Sequence, residues 1–266
     1  ASEWLSLLRF ISRNDKVVAL TYGSPSTAYL SKYAPGELVL YNQLSKVRLE
    51  EILGREVSAP SAVVSGGSPA AIAKNSYREM RKTVSVVNSL VTTRDVETLR
   101  LGLAKTLNPA LSQQSAVTLT RSYLSEVKRF NQRLRVSPGN YTITASRYEL
   151  PVTVINDFDQ VVSVDLDVTT TNSRVVVTQV PRITLEPQSQ IQIKVPVEVI
   201  ASGDTALRLQ LRTPKGSVVG ESTRIPLRLA VISPVTTWFT TGMAIILLLA
   251  ATVQSVRRVK RRRNHE

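Results

Sequence analysis

Hydrophobic positions recur at helical spacing between Ser76 and Arg135. Met80, Val84, Val87 and Val91 form one stripe, Val96, Leu99, Leu103 and Leu107 a second, and Val117, Tyr123, Leu124 and Val127 a third. That spacing predicts a helical region over 76–136, of two or three helices, interrupted where Asn108-Pro109 denies the backbone its next hydrogen bond. After Ser137-Pro138-Gly139-Asn140 the period falls to two. The runs YTITASRYELPVTVIN, QVVSVDLDVTTT, SRVVVTQV, ITLEPQSQIQIKVPVEVIA, TALRLQLRT, GSVVGES and TRIPLRLAVI alternate apolar with polar residues between turn residues. Short, evenly spaced, β-branched runs of this kind predict an immunoglobulin-like (Ig-like) antiparallel β-sandwich over 137–232.

Upstream the pattern is mixed. WLSLLRFI reads as a short amphipathic helix and KVVALTYG as a buried-type strand ended by Gly23. SPSTAYLSKYA reads as a helix capped by Ser24 or Ser26, and GELVLYNQL as a second strand. Residues 1–58 are therefore expected to be a mixed α/β segment, one or two βα units of a larger domain, since this is too little chain for a complete α/β barrel. The small, breaker-rich SAPSAVVSGGSPAAIA predicts a linker or loop over 59–75.

The last pattern is neither period. No charged residue occurs between Arg228 and Arg257, and PVTTWFTTGMAIILLLAATVQSV is continuously apolar around Ala244 to Ala251. Such a run predicts a transmembrane helix over 235–256, entered near Pro234 with Trp238 at the interface. Arg257, Arg258, Lys260, Arg261, Arg262 and Arg263 follow at once, making a basic tail over 257–266. Clusters of this kind stay cytoplasmic, so the expectation is a single-pass protein of the cell membrane, N-terminal part extracellular, with the bilayer as a partner. The opening ASEWLSLLRF lacks the basic leader and apolar stretch of an export signal, so processing or truncation is expected to have removed one. The fold class expected overall is multidomain α+β: a mixed α/β fragment, a helical segment, an Ig-like sandwich and one C-terminal transmembrane helix.

Composition narrows the chemistry. Cysteine is absent from the 266 residues and His265 is the only histidine. Thiolate zinc sites, disulfides, cysteine nucleophiles and a histidine general base in the folded part are thereby excluded. The net charge of +14 falls to about +9 once the six tail cations and Glu266 are set aside. A surplus of that size favours anionic surfaces such as lipid headgroups or an anionic wall polymer, without specifying nucleic acid. Asp157, Asp159, Asp165 and Asp167 are the densest carboxylate group, but Asp165 and Asp167 alternate with apolar residues on an outward strand face and the EF-hand spacing is missing. Tyr22, Tyr29, Tyr33 and Tyr41 with Lys32 and Lys46 could make a stacking surface, or could close the edge of a core. Arg208, Gln210, Arg212 and Lys215 form a small outward basic patch, for which solubility is the default reading. No catalytic, cofactor or metal residue is assigned, and the chain is not expected to be an enzyme.

The order of parts, together with VVALTYGSPSTAYL, LPVTVINDFDQVVSVDLDV, LRTPKGSVVGESTRIPLRL and WFTTGMAIILLLA, resembles a family of actinobacterial single-pass envelope proteins of unknown function. The resemblance implies a gene often encoded near the lipid II flippase, and a role around peptidoglycan precursor export or wall assembly. It further implies an interaction or scaffolding function with an envelope protein as partner. In that family the strand is commonly followed by a turn rich in aspartate and proline. Here the turn is Gly23-Ser24-Pro25-Ser26, so no carbohydrate chemistry carries over. The enzymatic alternative makes the chain the C-terminal part of a glycan-active protein, with its paired carboxylates upstream of Ala1.

Overall fold

The computed structural model describes residues 2–60, 67–230 and 241–254. Six helices precede nine strands among them. The helices are α1 (Ser2–Ile11), α2 (Thr27–Tyr33), α3 (Pro35–Leu53), α4 (Ala71–Asn88), α5 (Arg94–Thr106) and α6 (Gln113–Asn131). The strands are β1 (Leu134–Val136), β2 (Tyr141–Ile143), β3 (Arg147–Asn156), β4 (Val162–Thr170), β5 (Val175–Val177), β6 (Ile183–Leu185), β7 (Ser189–Val199), β8 (Gly203–Arg212) and β9 (Val218–Leu229). A further described helical stretch covers residues 241–254.

The first correction concerns the strands expected within residues 1–58 of a mixed α/β segment: the regular elements described there are the helices α1 to α3. Within KVVALTYG only Val18 bridges, to Ser58 in parallel, with Ala19 N–H donating to Ser58 O and Ser58 N–H to Val17 O. An isolated bridge with no further strand beside it cannot grow into a sheet. GELVLYNQL lies inside α3, whose Pro35 supplies a preset φ at the first turn and whose Gly54, at φ 67°, closes the end. Burial of Glu37, Tyr41 and Ser45 follows a four-residue step, so of the apolar run Leu38 to Tyr41 only Tyr41 lies on the buried helix face and Val39 points to water.

The helical region is built as its first two stripes require, whereas α6 buries Ala116, Thr120, Val127 and Phe130 and leaves Leu124 of the third stripe exposed. Ala73, Tyr77, Met80, Val84, Val87 and Val91 are all buried, at steps of three and four. Thr93 and Ser112 cap α5 and α6 by accepting from Val96 N–H and Ser115 N–H. Each hydroxyl satisfies a donor that the first helical turn leaves free. Helix α4 begins at Ala71, inside the stretch expected to be a linker.

The strands form two sheets, ordered β1-β3-β7-β5 and β2-β9-β8-β4-β6. All pairs are antiparallel except β2 with β9. Inward residues alternate along both sheets, for example Leu150, Val152 and Val154 on β3 and Leu207, Leu209 and Leu211 on β8. The helices and the sandwich share one hydrophobic cluster. At their junction Phe130 of α6 meets Phe158 edge to face at 5.3 Å, and Gln160 donates to Thr92 O and accepts from Thr92 N–H, both at 3.0 Å. Buried Asn156 fixes the neighbouring turn, donating to Gln160 O and Glu186 O and accepting from Phe158 N–H. These bonds leave no buried amide of Asn156 unpaired in a place where that would be costly.

The second correction concerns the C-terminal end. Among the described residues no helix is long and apolar enough to cross a membrane, so the expected transmembrane helix over 235–256 is not found. The fourteen residues 241–254 extend about 21 Å at 1.5 Å per residue, against a hydrocarbon core of roughly 30 Å.

Candidate interaction surfaces

The residues singled out as anchor and topology markers, Trp238, Arg257, Arg258, Lys260, Arg261, Arg262 and Arg263, lie outside the described residues. Residues 241–254 present Ile245, Ile246, Leu247, Leu248 and Leu249 at 55–68% exposure. An apolar helix bare on every side loses free energy to water at about 25 cal/mol per Å², which makes it an interaction surface by composition.

Three of the four clustered carboxylates are paired with arginines. Asp157 pairs with Arg135. Asp165 accepts from Arg182 Nε and Nη2 at 2.8 and 3.0 Å, and Asp167 from Arg212 Nε at 2.9 Å. The Arg182 guanidinium holds the Asp165 carboxyl below its ordinary range, mainly through these hydrogen bonds. Among the described residues no group of three or more acids or histidines could hold a metal ion.

Of the four tyrosines only Tyr41 is buried, while Tyr22 and Tyr29 are half-buried and Tyr33 stays exposed with Lys32 Nζ 5.2 Å over its ring. Tyr41 is fully buried, with its hydroxyl 3.2 Å from that of Tyr77. Tyr29 donates to Lys74 O and packs on Tyr77 and Tyr33. Burial pushes the Tyr77 phenol up to about 12 and raises Tyr41 as well, with the neighbouring phenol adding to it. Beside this pair the Glu37 carboxylate, 5% exposed, receives Arg100 Nη2 at 2.8 Å and Nε at 3.3 Å. That ion pair joins the first turn of α3 to α5, and sequence reasoning missed it because its partners lie 63 residues apart. The basic patch is also partly spent, since Arg212 serves Asp167 and Gln210 donates to Val219 O.

Two clefts remain. An apolar one of about 360 Å³ lies at the Gly23 turn, between Val18, Pro25, Pro60 and Pro109. The other, about 500 Å³, lies between residues 165–168 of β4 and residues 177–180, with Arg212 at its rim. It exists because β6 pairs only with Val162 to Val164 of β4, while β5 belongs to the opposite sheet. The signal for that arrangement was Pro181, which cannot extend a ladder and marks where the chain changes sheets.

A family described as "Family of unknown function (DUF6049)" matches residues 54–263. No curated protein matches. Among solved structures, a C. elegans MSP family member, WR4, is 9% identical at TM-score 0.29, covering 37% of this chain and 99% of its own. The FixG-related protein from Vibrio parahaemolyticus is 19% identical at TM-score 0.25, covering 30% and 74%. The E. coli chaperone DraB is 17% identical at TM-score 0.28, covering 38% and 57%. At these scores the structural likenesses bear on no functional question.

Proposed function

Because the chain belongs to the DUF6049 family of unknown function, we propose its role from its own surfaces: a non-enzymatic, membrane-anchored cell-envelope protein with an interaction or scaffolding role. The observation that carries this reading is the exposed apolar stretch 241–254, next to six cations at 257–263. Apolar area and positive charge side by side suit the headgroup region of an anionic bilayer. The same proposal places the folded part outside the cell membrane, near wall assembly and a protein partner. It includes the resemblance to actinobacterial envelope proteins encoded beside the lipid II flippase. The non-enzymatic part is supported by the commitments of the candidate groups: three of the four clustered aspartates to arginines, and the tyrosine pair to the core.

The test is flotation of the full chain with phosphatidylcholine–phosphatidylglycerol vesicles. Ile246→Asp with Leu248→Asp is expected to weaken partition at least about ten-fold, because each apolar side chain contributes roughly 1.5–3 kcal/mol on leaving water. Equal flotation of the two proteins would remove the basis for the membrane reading. Turnover of a wall glycan by the purified chain would overturn the non-enzymatic part.

A further inference from the structure

We propose that the free edge of β4 takes an extended segment of a partner protein as an added strand, seated in the cleft between residues 165–168 and 177–180. This deepens the interaction reading above and rests on it for the existence of a partner.

Backbone geometry carries the inference. β4 pairs with β8 from Asp165↔Arg212 to Thr170↔Leu207, and Thr171 N–H donates to Ala206 O. In an antiparallel pair the backbone groups of alternate residues point to opposite sides. Odd residues therefore face β8, and the N–H and C=O of Leu166 and Val168 face the other way. On that side β6 stops at the partner of Val164, so the ladder ends where the cleft begins. An edge with free donors and acceptors at two-residue intervals is complementary to an extended chain, not to a helix or a sugar.

The surroundings agree with that occupant. Strand edges are ordinarily blunted by lysine, proline or bare charge, yet LDVTT from Leu166 to Thr170 has neither lysine nor proline. Asp165 just before it and Asp167 within it are both neutralised, by Arg182 and Arg212. The opposite wall offers Val177 and Val180, half-buried and packed against the core. A segment with an apolar residue at every second position would set those side chains between this wall and Val168, leaving its alternate polar residues in water.

The experiment uses the full chain and fluorescein-labelled heptapeptides alternating threonine with valine, isoleucine, leucine or phenylalanine, read by anisotropy. At least one is expected to bind saturably. Val168→Pro should weaken it by about ten-fold or more, since proline removes the outward N–H while leaving the bonds to β8 in place. If that variant melts early, N-methylation of the bound peptide gives the same information. Methylating one alternate set of its amides should abolish binding, and methylating the other should not. Absence of saturable binding across the set, or binding indifferent to both changes, overturns the proposal. A dimer without peptide that Val168→Pro dissociates would assign the edge to a second copy and overturn it too. Vesicle flotation unaffected by Val168→Pro keeps the membrane reading separate from this one.

Discussion

Gly220→Ala is expected to destabilise the protein by about 3 kcal/mol, the sum of a left-handed backbone cost of about 1–2 kcal/mol and a steric cost of about 1–3 kcal/mol. Gly220 sits at φ 70°, where a side chain is strained whatever the space, and a Cβ there would lie 2.5 Å from Leu134 O. That carbonyl belongs to the backbone of β1 and cannot swing aside as a side chain would. The glycine occurs where the β8–β9 register slips, between Leu209 and Leu211, and its N–H donates to Asn131 Oδ1 at 3.1 Å. Displacing it would thus loosen the end of α6 from the sandwich as well as the strand. Gly216→Ala is the matched control: φ is 82° but nothing lies within 4 Å of its Cβ, so only the backbone cost of about 1–2 kcal/mol applies. Urea midpoints of the two variants check the difference. Equal losses would show that the contact with Leu134 relaxes freely.

The second large effect is expected at the Glu37–Arg100 pair. Arg100→Met leaves a carboxylate with 6% side-chain exposure and no guanidinium to receive. Removing one member of a buried pair costs roughly 3–5 kcal/mol. Arg100 itself keeps 26% side-chain exposure, through which water can reach the site, so about 2–3 kcal/mol is expected here. The double variant Glu37→Leu with Arg100→Met removes the orphan charge and should recover most of the loss, since apolar replacement of a buried pair is often neutral. Thermal melts of the single and double variants decide this. A double variant no more stable than Arg100→Met would mean that the pair contributes through geometry rather than through desolvation.

Legibility in the sequence followed the reach of the interactions. The stripes of α4 to α6 and the two-residue alternation of the strands are local patterns, and they locate helices and strands because one face of each must leave water. The outward placement of Asp165 and Asp167 follows from the same alternation. Leu38 to Tyr41 misled because four consecutive apolar residues carry no period, so a helix and a buried strand look alike over so short a run. Pro35 and Gly54, nineteen helical residues apart, were the punctuation that distinguished them. The Val18–Ser58 bridge, the Glu37–Arg100 pair and the cleft beside β4 depend on contacts between distant segments, which no local pattern encodes. The C-terminal expectation rested on apolar length together with Trp238 and the flanking cations, and the described helix does not reach that length.

The most direct measurement of the membrane reading uses the absence of cysteine. A single bimane label is placed at Leu248→Cys, in the apolar stretch, or at Ser173→Cys, exposed in the loop after β4. On adding phosphatidylcholine–phosphatidylglycerol vesicles, the label at 248 is expected to shift to shorter wavelength and become accessible to lipid-borne quenchers, while the label at 173 stays unchanged. Two labels that both remain water-like in the presence of vesicles would contradict seating of residues 241–254 in a bilayer.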